Sequence, residues 1–333
     1  MLLLADVGGT KTALAVVDPA RDLHRHLTEL QVQSADFGSF NDMLEFVLAK
    51  VSYPIEYLAM GVPGPVADER VVGTNLPWEV DSRKVRARFG FKGVTLLNDL
   101  EAISSAIPLL TEHDVIALND VPPKAGGSIA VVAPGTGLGE GYLTWDGKRY
   151  RAHPSEGGHA NFGPDSHLQY ELANWLWARY GHVSNERVCS GRGMPNLYQF
   201  LKEEKQMPEP AWLSQALLGV DDPTPIIVQE AMRPEGADPL CRATLELFVE
   251  ILGAEAGDLA LSLLATGGVY LAGGIPPRIV SELQRGGFMQ AFRAKGRVQY
   301  VMEDIPVYVV LDPRIALLGV ASRALETMTM DDQ

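Results

Sequence analysis

Val94-Thr95-Leu96-Leu97-Asn98-Asp99-Leu100-Glu101 is an apolar run that ends on two polar residues, and Ala102-Ile103-Ser104-Ser105-Ala106-Ile107 follows directly. The pattern reads as a short buried strand feeding a helix. Asp99 then stands at the carboxyl end of the strand, where an open α/β sheet presents groups to a ligand. A purely structural reading competes, because Asn98 or Asp99 also suits the N-cap of the helix.

Two other stretches have a common plan. Leu2 to Val7 and Ala13 to Val17 read as strands joined by Gly8-Gly9-Thr10-Lys11-Thr12. Ser128 to Ala133 and Tyr142 to Trp145 read as strands joined by Pro134-Gly135-Thr136-Gly137-Leu138-Gly139-Glu140-Gly141. A dinucleotide fingerprint needs its glycines to open a helix, and both of these runs return into strands. Glycine turns of this kind expose backbone N–H groups to a phosphate, and Asp6 just before the first turn is placed to hold Mg²⁺ through water. One such hairpin is weak evidence, but two at the start of each half suggest a duplicated α/β domain gripping phosphate.

Composition narrows the classes. The chain has 333 residues, 46% of them hydrophobic and 21% charged, which allows two cored domains. A net charge of −14 argues against a nucleic-acid or anionic-membrane partner. It also leaves phosphate binding to local N–H groups, a metal or a few placed cations. Two cysteines, Cys189 and Cys241, form neither a zinc motif nor a disulfide framework, and read as free thiols in a reducing cytoplasm. The N-terminus lacks a basic signal-peptide segment, and Glu250, Glu255 and Asp258 interrupt the apolar region from Leu245 to Ala265, which excludes it as a membrane span.

Ser155-Glu156-Gly157-Gly158-His159 reads as a loop whose carboxylate and imidazole suit a polyhydroxylated ligand. Thr74 to Trp78 reads as a punctuated loop. Glu186 lies near a helix start, where the dipole alone favours a carboxylate. Val269 to Ala272 reads as a strand ending in Gly273-Gly274, which allows close approach of a flat group such as a base or ribose. A last helix is expected from about Arg314 to Leu325, with fraying from Thr327.

Taken in order, Asp6-Val7-Gly8-Gly9-Thr10, Leu97-Asn98-Asp99, Pro134 to Gly139, Ser155 to His159, Glu186-Arg187 with Ser190-Gly191, and Leu271 to Ile275 resemble the bacterial glucokinase family. That family sits within the superfamily of sugar kinases, actin and heat-shock chaperones. The resemblance spans residues 2 to about 325. It implies two duplicated ribonuclease-H-like α/β domains flanking a cleft, the smaller formed by residues 1–109 plus 312–333 and the larger by 110–311. It implies ATP-dependent phosphorylation of D-glucose, the first step of glycolysis, in the cytoplasm, commonly by a homodimer. Asp99 becomes the catalytic base, and Asn98, Glu156, His159 and Glu186 hold sugar hydroxyls. Asp6, Gly8, Gly9, Thr10, Gly135, Thr136, Gly137 and Gly139 serve the ATP phosphates and Mg²⁺, and Gly273 and Gly274 approach the adenosine.

Two departures stand out. Lys11 replaces the asparagine of many members, as in the related repressor/kinase branch. The cysteine-rich zinc motif of that branch is absent, so no zinc is expected. The competing readings are a kinase for another hexose, a non-catalytic sugar-binding regulator, and a dinucleotide oxidoreductase. The charge disfavours a DNA-binding regulator, and the glycine runs that enter strands disfavour the oxidoreductase.

Overall fold

The structure, a computed structural model, describes residues 1–72, 78–312 and 314–331. The loop expected at Thr74 to Trp78 lies outside the described residues up to Pro77. The chain forms two compact units. One comprises Met1–Leu110, Tyr150–Pro154 and Arg314–Gln333; the other comprises Thr111–Arg149 and Ser155–Pro313.

The first unit is built on β1 (Leu2–Val7), β2 (Lys11–Val17), β3 (Thr28–Gln33), β4 (Tyr57–Val62), a small pair β5 (Arg70–Val72) and β6 (Glu79–Asp81), and β7 (Gly93–Asn98). Its main sheet runs β3-β2-β1-β4-β7. The first three strands are antiparallel, and β4 and β7 are parallel to β1. Side chains alternate across this sheet as the period of a strand requires. Leu3, Ala5, Leu58 and Met60 enter one core with Phe40, Met43, Leu44 and Val47 of the helix Phe40–Lys50. Leu2, Leu4, Ala59 and Leu97 enter a second core with Ala102 and with Ala316, Leu317, Val320 and Ala324. Both faces are covered by helices, which explains the unbroken apolar runs of β1 and β4.

The helix Asp99–Ala106 is pressed between the sheet and the helix Ile315–Asp331. Gly319 lies so close to the Ala102 carbonyl that an added β-carbon would fall well inside contact distance. Gly319→Ala therefore overpacks a backbone-to-backbone contact and should destabilise the protein by about 1–3 kcal/mol. Chemical denaturation checks this, and an unchanged midpoint would refute the contact. The final helix runs past its expected end to Asp331. The Thr327 hydroxyl donates to Ala324 O at 2.9 Å and lies 3.2 Å from Thr95 Oγ1, which ties the last turns to β7.

The second unit contains β8 (Val115–Ala117), β9 (Ile129–Pro134), β10 (Leu138–Trp145), β11 (Tyr150–Ser155), β12 (Gly268–Leu271) and β13 (Val307–Val310). The sheet order is β11-β10-β9-β12-β13-β8. The β9–β10 hairpin is antiparallel, β12 and β13 continue in parallel, and β8 closes the edge antiparallel. The long helix Pro239–Leu263 is capped by Asp238, whose carboxylate accepts from the Leu240 and Cys241 N–H groups at 2.9 and 3.1 Å. Leu240, Leu245, Phe248 and Leu252 of this helix share a core with Val132, Leu271, Phe288 and Phe292.

Three elements differ from the sequence reading. Pro154 and Ser155, which the sequence pattern reads as loop, close the strand β11. Pro154 is tolerated there because an edge strand leaves one row of N–H positions unused. Residues 278–285, whose sequence pattern reads as one helix, instead follow a 3-10 turn, Pro276–Arg278, with a single helical turn, Val280–Leu283. A short helix at Gln299–Glu303 was not anticipated. Cys189 and Cys241 are free thiols, both buried. Among the described residues no helix is long and apolar enough to cross a membrane.

Candidate active site

In the first unit the chemistry gathers at the carboxyl ends of parallel strands. Asp6 of β1 pairs with Gly61 of β4, which in turn pairs with Leu97 of β7. Asp6 and the Asn98-Asp99 junction therefore lie on one edge of the sheet, two strands apart. Asn98 is the N-cap of the helix. Its Oδ1 accepts from the Leu100 and Glu101 N–H groups at 2.9 and 3.3 Å, and its Nδ2 donates to Gly64 O at 3.0 Å. The capping role thus belongs to Asn98, and Asp99 is left at the first helical position. The Asp99 carboxylate accepts from the Leu100 N–H at 2.9 Å, and the positive end of the helix favours its charge.

Asp6 is buried. Its carboxyl is pushed up to about 6, first by burial and then by the charge of Asp99. Two like charges at one sheet edge are a site that a hard divalent cation would stabilise, and an all-oxygen donor set suits Mg²⁺. Among the described residues no group of three or more His, Cys, Asp or Glu is arranged around a metal. Asp6 therefore fits an ion that keeps waters and phosphate oxygens as its remaining ligands.

The turn at Gly8, Gly9 and Thr10 joins β1 to β2. The Gly8 N–H donates to Lys11 O at 3.0 Å. Ser34, absent from the sequence reading, pins the turn from beneath: its hydroxyl donates to Gly8 O at 2.6 Å, and its N–H donates to Thr10 O at 2.8 Å. Its role depends on tertiary contact alone, and no local motif marks it.

In the second unit the hub is the turn from Pro134 to Leu138. The Gly135 N–H donates to Gly137 O at 2.9 Å. From outside the turn, the Gly191 N–H donates to Gly135 O at 2.8 Å, Arg192 N–H to Thr136 O at 3.1 Å, and Ile275 N–H to Pro134 O at 3.2 Å. The Ser190–Gly193 segment and the Gly273-Gly274 loop are thus both bonded to it. Gly273 takes the left-handed conformation, φ 83°, as its chain turns back toward Pro134. Gly139 lies in β10, opposite Ala133, one residue beyond the turn.

Three of the four hydroxyl-binding candidates, Glu156, His159 and Glu186, lie at the same hub, and Asn98 belongs to the first unit. Glu186 Oε2 accepts from the Leu138 N–H at 3.1 Å and touches Gly137. Gly158 packs on the Leu138 carbonyl with no room for a side chain. Glu156 and His159 flank that contact, with Nε2 3.9 Å from Oε2 and both side chains mostly exposed. The 3-10 turns Gly157–His159 and Asn185–Arg187 are joined by the Asn185 N–H donating to Ala160 O at 3.0 Å. Two stretches far apart in the chain are thereby brought together within one unit: an acceptor-rich set of two carboxylates and an imidazole beside a glycine turn. Sugars and phosphates are held by such groups.

Comparisons with known proteins agree in length. The family model described as Glucokinase matches residues 3–327. A glucokinase of Trichormus variabilis is 36% identical over 96% of this chain and 98% of its own length. A glucokinase of Escherichia fergusonii is 34% identical over 98% and 97%. Among solved structures, glucokinase from an Antarctic psychrotroph superposes with a TM-score of 0.80 at 30% identity, covering 98% of each chain. A Balamuthia mandrillaris glucokinase determined with glucose has the same fold, at a TM-score of 0.77 and 20% identity over 97% and 93% of the two chains.

Proposed function

The chain belongs to the glucokinase family, and on that premise we propose that it transfers the γ-phosphoryl group of ATP to the 6-hydroxyl of D-glucose. The observation that carries this reading is the Pro134–Leu138 turn, to which Glu186 and the Gly273-Gly274 loop are both bonded and on which Gly158, between Glu156 and His159, packs. A glycine turn with acceptors for a polyol on one side and an open backbone on the other is suited to a phosphoryl group passing between the two. A further support is the solved sugar kinase of Streptomyces griseus, which holds glucose and an ATP analogue in the same fold.

Glu156, His159, Glu186 and Asn98 bind the sugar hydroxyls and orient the ring. Asp99 takes the proton of the 6-hydroxyl as that oxygen attacks the γ-phosphorus. The new O–P bond forms as the bond from phosphorus to the β–γ bridging oxygen breaks, and ADP leaves with that electron pair. Asp6 would hold Mg²⁺, which would supply positive charge to the phosphate oxygens. The Gly8–Thr10 and Gly135–Gly137 turns offer N–H groups to the phosphates, and Lys11 adds a cation beside the first. The two sheets, each an antiparallel hairpin continued by two parallel strands, are copies of one ribonuclease-H-like plan.

A coupled assay of ATP-dependent sugar 6-phosphate formation tests the reading, run on glucose, mannose, fructose, galactose, glucosamine and N-acetylmannosamine, with and without Mg²⁺. The expected result is Mg²⁺-dependent turnover with the highest kcat/KM on glucose. Polar groups left unpaired by the wrong sugar discriminate against it. A preference for N-acetylmannosamine would overturn the substrate, and turnover undiminished by chelator would overturn the metal.

A further inference from the structure

The peptide groups of the first glycine turn are not held as an ordinary hairpin turn holds them. A β-turn closes when the N–H of its last residue donates to the C=O of its first, which over Gly8 to Lys11 would join the Lys11 N–H to Gly8 O. Among the described residues that bond is absent, and Gly8 O accepts instead from the Ser34 hydroxyl at 2.6 Å. The Ser34 N–H donates to Thr10 O at 2.8 Å, and the Gly8 N–H donates to Lys11 O at 3.0 Å. Ser34 and Thr12 are both 0% exposed, and their hydroxyl oxygens lie 3.1 Å apart. A hydroxyl has one proton to give. Ser34 gives its own to Gly8 O, so Thr12 is the donor to Ser34, and the two hydroxyls form a relay that ends on the turn.

A trans peptide is planar, so its C=O and the N–H that follows point in opposite directions. With Gly8 O and Thr10 O fixed on Ser34, the Gly9 and Lys11 N–H groups are fixed on the side away from it. The Gly9 N–H has no partner among the described residues, and Gly9, Thr10 and Lys11 are exposed. Outward N–H groups on a tight turn form a seat for an anion. We propose that Ser34 is a positioning residue for the nucleotide phosphates: its hydroxyl and its N–H lock two peptides of the turn with their donors outward. The proposal rests on the reading above of the Gly8–Thr10 turn as a cradle for ATP phosphates.

The turn needs such a lock because of its own composition. A β-carbon on Gly8 would meet Lys11 O at 2.6 Å, so the position requires glycine. The peptide between Gly8 and Gly9 is flanked by two residues without β-carbons, and it can turn over at little steric cost. Freed from Ser34, it can present its C=O to a phosphate in place of its N–H, which replaces an attraction with a repulsion. Ser34 is itself held by the sheet. It follows β3 directly and opens the 3-10 turn Ser34–Asp36, and the pairing of Gln33 with Lys11 sets residue 34 beside Thr10. The hydroxyl therefore reaches the turn from a fixed strand end, and the relay from Thr12 strengthens its bond to Gly8 O.

The test uses the full chain and Ser34→Ala. Binding of ADP and of adenosine is measured by titration calorimetry, and KM for ATP and for glucose by steady-state kinetics. Ser34→Ala should raise the ADP Kd and the ATP KM by about 10–100-fold, the worth of a hydrogen bond to a charged group. Adenosine, which lacks phosphate, and glucose should keep their wild-type Kd and KM. Ser34→Cys, close in shape but with a weak S–H donor, should fall between serine and alanine. Thr12→Val leaves the Ser34 hydroxyl and removes its donor, so it should shift ADP and ATP in the same sense by less; it replaces Ser34→Ala if that variant does not fold. An unchanged ADP Kd in the folded variant overturns the proposal. Adenosine and glucose weakened as much as ADP overturns it too, because that pattern marks a merely structural role. A wild type that binds ADP but phosphorylates no glucose would sink the substrate reading instead, and the comparison of ADP with adenosine would still decide the role of Ser34.

Discussion

Asp99→Asn is expected to lower kcat by about 10²–10⁴-fold, the range that a positioned general base contributes. The substitution is nearly isosteric and keeps an oxygen for the Leu100 N–H, so the first helical turn and the Asn98 cap stay formed. What is lost is the proton acceptor. Glucose affinity, followed by intrinsic fluorescence, should stay within about threefold, because Asn98, Glu156, His159 and Glu186 are untouched. A second consequence identifies the residue as well as the effect. The charge of Asp99 is one of two causes that raise the Asp6 carboxyl, so Asp6 should titrate lower in the variant, and Mg²⁺ dependence should persist to more acidic pH. A variant with near-wild-type kcat would remove Asp99 from the base role.

The next largest effect belongs to Glu186. Its carboxylate accepts the Leu138 N–H at 3.1 Å and is proposed to accept a sugar hydroxyl as well. Hydrogen bonds to a charged group contribute about 1.5–3 kcal/mol each. Glu186→Ala forfeits both and leaves the Leu138 N–H unanswered, so kcat/KM for glucose should drop by roughly 10²–10⁴-fold. Glu186→Gln keeps an acceptor for Leu138 but weakens the sugar contact, and should fall between the wild type and the alanine variant. Steady-state kinetics of the two variants side by side separate the roles. Equal loss in both would mean that the charge alone matters, and no loss in either would exclude Glu186 from the sugar site.

The legibility of this molecule from its sequence follows from where each signal is local. The β7-to-helix junction was readable because four apolar residues run straight into a helical pattern, with capping residues between them. The two glycine hairpins were readable because glycine punctuates strands whatever surrounds them. β11 was missed because Arg151, His153 and Pro154 give an edge strand the look of a loop. Ser34 was missed because its two bonds to the Gly8–Thr10 turn cross 24 and 26 residues of chain. Glu140 stood inside a glycine-rich stretch and read as part of the turn. Only its place in β10, where it is 3% exposed, reveals a buried acid.

The order of elements along the chain also governs how the protein can be made. One apolar face of the first sheet, with Leu2, Leu4, Ala59 and Leu97, is covered by the helix Ile315–Asp331. During synthesis those strands emerge early, and their cover follows only after the whole of the second unit. At ~5–20 residues per second the ribosome needs roughly 10–40 s to cross that interval. For that time the nascent N-terminal unit carries an uncovered hydrophobic sheet face while the second unit, continuous but for a few residues, is free to collapse. Native assembly is thus completed by the segment translated last. A ribosome stalled within the second unit would release a product whose first sheet has no means of closing, and which holdase chaperones or proteases would have to clear.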